Sequence, residues 1–252
     1  MNLYIQLLEV FAFREIKSRY KASILGPLWI IINPLLTAIM LSVVFGIFVK
    51  IKTDNIPYFL FVVSGLLFWN FFQQGFIFAK DSLVWGRELV VKTVFPKDIL
   101  PLSYILSKVP DFLINLAILI CFYLFYGFSL DASVLLIVIF LVPTFLFVSG
   151  ISLFVALCNS IFRDFGRVVE LFMTVFFYMT PIIYPESFVP EQYKVLLMIN
   201  PLALAIIFTR DLLFKHLVRI DLFVISISIS IPVFFFGYFF FKKYEKKIVD
   251  LI

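Results

Sequence analysis

Residues 14–34 read REIKSRYKASILGPLWIIINP. Four basic residues, Arg14, Lys17, Arg19 and Lys21, stand just before an apolar run from Leu28 to Val49, and Gly26-Pro27 breaks the backbone between the two. The run is long enough for the ~20 residues that a helix needs to cross a hydrocarbon core. Cations flanking a first span are held on the cytoplasmic side. The stretch therefore predicts that the chain enters a bilayer, and it predicts which side the N-terminus occupies. A generic positive flank accounts for the charges, but not for the Gly-Pro-x-Trp hinge or for Asn33-Pro34 inside the span.

Working outward, the 252 residues are 63% hydrophobic and only 15% charged, where soluble domains carry roughly 25% charged residues. Barrel strands would show ~10-residue segments of alternating polarity, and none is visible. The fold class is an all-α polytopic membrane protein, a single transmembrane domain with no soluble domain. Six spans are expected, near 28–49, 58–79, 104–126, 132–157, 168–184 and 220–241. Residues 2–20 are expected as an amphipathic interfacial helix, with Gln6, Glu9 and Lys17 on one side and Ile5, Leu8, Ala12 and Ile16 on the other. Segments 1–27, 80–98, 159–167 and 242–252 hold fourteen Lys and Arg, against six (Lys50, Lys52, Lys194, Arg210, Lys215, Arg219) in the segments on the other side. That bias predicts both termini in the cytoplasm. The basic residues are accounted for by orientation and anionic lipid, so nucleic acid is not an expected partner.

Residues 185–219 hold an apolar stretch, Val195 to Phe214, interrupted by Asn200-Pro201 and ending in Arg210-Asp211. A seventh crossing would put Lys242, Lys243, Lys246 and Lys247 outside. The segment is therefore expected to re-enter from the periplasmic side as two half-helices turning at Asn200-Pro201. Such backbone is tolerated only beside protein or a water-filled cavity. The loop 80–103 is expected to carry a short helix at about 82–96, capped by Asp81 or Ser82 and ended by Pro96, either docking a partner or lying on lipid.

Catalytic signatures are missing from the sequence. No glycine is followed by Lys-Ser/Thr in the P-loop manner, and neither Gly-x-Ser-x-Gly nor His-Glu-x-x-His occurs. His216 is the only histidine, and Cys121 and Cys158 lie in apolar runs, so no metal site is expected. Lys108, Asp111 and Glu170 are charges in or beside spans; Lys108 is expected to pair with Asp111 and Glu170 with Arg167. Three such charges are too few for a proton relay. Aromatic residues make up 19% of the chain. Trp29, Phe68, Trp69, Phe176, Phe177, Tyr178 and Tyr184 are candidates to line a lumen, since aromatic faces pack against sugar rings.

Several motifs now coincide. Arg14-Glu-Ile-Lys17-Ser-Arg19-Tyr20-Lys21 with Leu25-Gly26-x-x-Trp29 and Asn33-Pro34 resembles the opening motif of ABC-type (ABC-2) polysaccharide exporter permeases. Phe95-Pro96-Lys97-x-x-Leu100-Pro101 is similar to the end of that family's coupling segment. Arg163-Asp164-x-x-Arg167 with Thr180-Pro181-Ile-Ile-Tyr184 is similar to its fourth cytoplasmic turn and fifth span. Asn200-Pro201-Leu202 and Arg210-Asp211 resemble its re-entrant segment. The resemblance implies the membrane subunit of an O-antigen-type exporter in a bacterial inner membrane. It implies a homodimer with two cytoplasmic ABC ATPase subunits, ATP and magnesium being bound by those partners and no cofactor by this chain. The substrate would be a polysaccharide on undecaprenyl diphosphate, moved outward. Trp85, Arg87, Glu88, Lys92, Phe95 and Pro96 would contact the ATPase, Asn200, Pro201 and Arg210 would form a re-entrant gate, and Arg14, Lys17, Arg19 and Lys21 would attract the carrier diphosphate. A teichoic-acid or capsular exporter, a gated oligomeric channel and a lipid-modifying enzyme are the alternatives.

Overall fold

The computed structural model describes residues 3–20, 25–53 and 56–251, apart from the side chains of Tyr20 and 246–251. The described residues form helices and connecting turns, with no strand. In chain order the helices are α1 (Leu3–Tyr20), α2 (Trp29–Leu41), α3 (Tyr58–Trp85), α4 (Arg87–Lys92), α5 (Ile99–Leu106), α6 (Val109–Phe125), α7 (Leu141–Ile161), α8 (Arg163–Met179), α9 (Lys194–Met198), α10 (Pro201–Lys215) and α11 (Ile220–Leu251). Five stretches are long and apolar enough to cross a membrane: Gly26–Phe48, Tyr58–Trp85, Ile99–Phe125, Ala132–Ile161 and Ile220–Glu245. The protein is an all-α polytopic membrane protein.

Each span carries a local signature in its sequence. Gly26 turns the chain with φ +41°, a left-handed backbone that a side chain disfavours, and Pro27 then presets the first helical turn. Beyond Leu41 the first span continues as a π-helical stretch, Ser42–Phe48. The third span begins at Ile99, earlier than expected, and is broken between α5 and α6, where Pro110 withholds an amide. The fourth starts as a 3-10 stretch, Ala132–Phe140, before α7.

Hydrophobicity does not hold such helices together, because lipid is as apolar as leucine; close packing and polar contacts do. α3 is the hub, with Leu60, Phe68, Phe72 and Phe76 fully buried against α6, α7 and α8. α7 and α11 touch backbone to backbone. A Cβ placed on Gly237 would meet the backbone of Gly150, with Gly150 Cα only 2.9 Å away. α2 is the opposite case: Ala38 is its one buried residue among those described.

Polar contacts define the two ends of the bundle. At one end Tyr4 of α1, Asp98 before α5 and Lys242 of α11 meet: Tyr4 Oη donates to Asp98 at 2.7 Å and Lys242 Nζ lies 2.6 Å from it. α1 and the end of α11 therefore lie on one side. α8 starts at that end, where Asn159 accepts from the Gly166 amide and donates to Asp81. It leads to the other end, where the Pro181 and Ile182 carbonyls meet Arg210, which also bonds Phe61 and Ser64 at the start of α3. α8 is only 17 residues long, about 26 Å at 1.5 Å per residue. The expected fifth span, 168–184, is thus shifted: it is helical from Arg163 to Met179 and finishes as non-helical chain.

α9 and α10 are bent 102° apart at Ile199-Asn200. Pro185, Glu186 and Ser187 line one small cavity of about 90 Å³ together with Asp211, Lys215, Thr53 and Ile56, so the bent segment leaves on the side where it begins. Asn200 makes the turn. Its Oδ1 accepts from the Leu202 amide at 3.0 Å, capping α10, and its Nδ2 donates to Thr180 Oγ1 at 3.0 Å. Pro201 occupies the first helical turn, where no amide is needed.

Three sequence expectations change here. The helix expected over 82–96 is two pieces: Asp81 and Ser82 lie inside α3, which runs to Trp85, and α4 is only Arg87–Lys92. The inward stripe of α1 is Tyr4, Leu8, Phe11, Ala12 and Glu15, packed on α5, and Ile5 faces outward with Leu3, Val10 and Phe13. Glu170 pairs with Lys80 at 2.9 Å instead of with Arg167, which bonds Asp164. Lys80 is buried at the end of α3 and needs two carboxylates, Asp81 and Glu170.

Candidate functional site

A cleft of about 580 Å³ opens between α2, α3 and α6. The opening sequence motif builds one wall of it with Gly26, Trp29, Asn33 and Pro34. At one end Arg19 comes off the last turn of α1. Its guanidinium donates to Asp111 at 2.8 Å and to the Ser107 carbonyl at 2.9 Å, with a further short bond to Ser107 Oγ. Lys108 stands beside it, 4.0 Å from the centre of the Phe78 ring and 3.9 Å from Asp111. The expected Lys108–Asp111 pair is therefore long, and Asp111 serves Arg19 first. Arg19 and Lys108 gather around Asp111, and Glu15, which also acts on Lys108, is taken up by Arg14, so basic groups outnumber acidic ones at this end of the cleft, which favours an anion.

The other members of the basic group part company with Arg19. Arg14 lies against Glu15 at 3.0 Å and over the Phe11 ring. Lys17 projects outward over Phe13. Lys21 lies outside the described residues.

The aromatic set also divides. Trp29 is exposed on the cleft wall. Phe68 and Trp69 are core residues: Phe68 packs on Phe112, Trp69 on Phe72, Phe176 and Phe177, and Trp69 Nε1 donates to Gln73 at 3.1 Å. Their faces are covered within the chain, which corrects the expectation that they line a lumen. Phe176 and Phe177 are half-buried on Trp69, Tyr178 is exposed, and Tyr184 is half-buried with its hydroxyl donating to the Tyr178 carbonyl.

The expected docking residues gather at the end of the bundle that carries Tyr4 and Lys242. Arg87, Glu88 and Lys92 are exposed on α4, with Glu88 and Lys92 3.4 Å apart. Trp85 is exposed at the end of α3, edge-on to Phe78 and Tyr104. Phe95 and Pro96 are half-buried; Phe95 stacks on Phe11 at 5.6 Å and carries the Lys97 ammonium at 4.4 Å on its ring. Burial lowers the Lys97 ammonium, and Lys97 Nζ donates to the Thr93 carbonyl. Burial, and next the bond to Asp98, raises the Tyr4 phenol, so it remains a donor. These contacts attach the segment after α4 to α1, a linkage that the sequence did not reveal because Tyr4 and Asp98 carry no motif.

At the far end, the three residues expected in a gate are brought together, but as anchors. Arg210 is buried, and it donates to the carbonyls of Pro181 (2.5 Å), Ile182 (2.8 Å) and Phe61 (3.1 Å) while its guanidinium sits 3.4 Å from the centre of the Phe61 ring. Asn200 and Pro201 set the turn below it.

Residues 6–214 match the profile described as ABC-2 type transporter. The chain belongs to the ABC-2 type transporter family. This ABC-2 protein is similar to two proteins of Klebsiella pneumoniae, each described as O-antigen export system permease protein RfbA. They are 34% and 33% identical over 207 residues, covering 82% of this chain and 79% of theirs. A protein of the same description from Myxococcus xanthus is 27% identical over 205 residues, 81% of this chain and 78% of its own. As an ABC-2 family member the protein is the membrane subunit of a transporter. Of the five carboxamides of the cleft, Asn33 stands in the opening motif, whereas Asn70, Gln73, Gln74 and Asn115 were not singled out from sequence, although Gln73-Gln74 inside an apolar run was a visible signal.

Proposed function

We propose that this ABC-2 protein is the permease of an ATP-driven exporter that moves a lipid-linked polysaccharide of the O-antigen type outward across a bacterial inner membrane. The similarity to proteins described as O-antigen export permeases carries this reading. The carrier is undecaprenyl diphosphate. Its phosphates are attracted by the basic opening segment, and Arg19 is the member placed to meet them because it alone of the described set reaches the cleft. Arginine suits phosphate oxygens through its planar fork of donors.

Two copies of the chain form the pathway, and two cytoplasmic ATPase subunits bind ATP and magnesium. The end bearing α4 and Lys242 is cytoplasmic, both termini are there, and the bent α9–α10 segment faces the periplasm. The exposed Arg87, Glu88 and Lys92 dock into the ATPase. Co-expression with the ATPase should give a stoichiometric complex, and vesicles containing it should move lipid-linked glycan only with ATP. A chain that purifies without an ATPase, or that conducts ions without ATP, would contradict the exporter reading.

A further inference from the structure

The cleft holds more polar machinery than a phosphate alone requires. Beyond the Arg19 and Lys108 end, carboxamides from three helices reach its wall: Asn33 from α2, Asn70, Gln73 and Gln74 from α3, Asn115 from α6. Asn70 stands twelve residues after Tyr58 and fifteen before Trp85, so these groups sit near the middle of a span. Polar side chains at that depth persist where they face protein or water.

Their hydrogen bonds show that they are not glue between helices. Gln73 Oε1 accepts from Trp69 Nε1 on its own helix, which turns the Gln73 amino group outward as a donor. Asn115 Nδ2 donates to the Asp111 carbonyl on its own helix, which leaves its Oδ1 to accept. Asn70 Nδ2 is shut off from solvent with no acceptor. Carboxamides that both donate and accept suit hydroxyl and acetamido groups. The volume lies within the ~300–1,000 Å³ of small-molecule sites, and Trp29 offers an aromatic face at the mouth.

We infer that the α2–α3–α6 cleft is a specificity site for the sugar bonded directly to a lipid diphosphate. Arg19 and Lys108 take the phosphate, Asn70, Gln73 and Gln74 read the sugar's hydroxyl and acetamido groups, and Trp29 covers a sugar face. This deepens the exporter reading and rests on it. The site makes the first sugar a checkpoint, because the outward amino group of Gln73 and the exposed carboxamide of Gln74 face the cleft and gain sugar partners only when that sugar is present. Sites built to hydrogen-bond a ligand discriminate strongly against analogues that lack the group.

The test uses the full chain in phosphatidylcholine nanodiscs, titrated with two probes: farnesyl diphosphate, and farnesyl diphosphate carrying one N-acetylglucosamine. The sugar-bearing probe should bind about tenfold tighter. Asn70→Ala and Gln74→Ala should bring the two probes within about twofold by weakening only the sugar-bearing one, and Arg19→Ala should weaken both. Gln74 is exposed on the wall, so its variant tests the site even where Asn70→Ala fails to fold. Equal affinity for both probes in the native chain would overturn the inference, as would loss of both when phosphatidylglycerol is added, which would mark a bilayer-lipid site. The same preparations with the partner ATPase separate the two readings. ATP-driven flux that is unchanged by both amide variants overturns the sugar site alone, and no ATP-driven flux in the native chain overturns the exporter reading.

Discussion

Arg210 shows how a buried cation without a carboxylate partner is made tolerable in this protein. Three backbone carbonyls and one aromatic face surround it: Phe61 in the first turn of α3, and Pro181 and Ile182, whose carbonyls lie past the end of α8 in non-helical chain. Orphan carbonyls of that kind need donors, and a forked guanidinium supplies several. Arg210→Ala should therefore cost about 3 kcal/mol, since it strands several buried acceptors. The midpoint of thermal aggregation followed by size exclusion should fall accordingly, and Arg210→Lys should recover less than half because one ammonium cannot span the same carbonyls. A native-like midpoint for Arg210→Ala would remove the anchoring role. The sequence marked Arg210 as a charge at the end of an apolar run. It gave no sign of the partners, because backbone carbonyls carry no residue signature.

At the scale of elements, α1 and the segment between α4 and α5 form one mechanical unit. Tyr4 holds Asp98, Phe11 stacks on Phe95, and the Lys97 amide donates to Glu245 of α11 at 2.6 Å. Losing the Tyr4 hydroxyl removes one hydrogen bond, about 1 kcal/mol, or roughly a fivefold rise in the detached population of α1. A cysteine at Phe11 should react with maleimide that much faster in Tyr4→Phe, and faster still in Asp98→Ala, which leaves Lys242 without its closer carboxylate. Unchanged reactivity in both would show that α1 is held elsewhere. Because the Tyr4 phenol is raised by burial and by Asp98, the reactivity of this cysteine, corrected for thiol ionisation, should not change between about pH 6 and 9. Element existence was legible in the sequence for α2, α3, α6, α7 and α11, whose apolar runs exceed a span. Boundaries were legible only where a breaker stood, as at Gly26-Pro27 and Asn200-Pro201. The 82–96 helix was misplaced because Asp81 and Ser82 look like caps, yet α3 continues through them: Asp81 is occupied by Lys80 and Asn159, and Ser82 donates to the Ala79 carbonyl.

For the whole molecule, the decisive relation is that α1 and the end of α11 share a side while the bent α9–α10 segment occupies the other. Tags at both termini should be reached from the same face of oriented vesicles, and a cysteine at Lys194 from the opposite face. Tags on opposite faces would contradict this topology. The charge census, fourteen basic residues against six, predicts that the shared side is cytoplasmic; the cleft could not be foreseen, because its walls come from three helices far apart in sequence. The Asp98 junction also bears on how the protein is made. Asp98 is fully buried, and its neutralising cation, Lys242, is translated 144 residues later. Until α11 docks, Asp98 has the Tyr4 hydroxyl but no cation, so the arrival of Lys242 neutralises this buried corner and locks α11 to the start of α5.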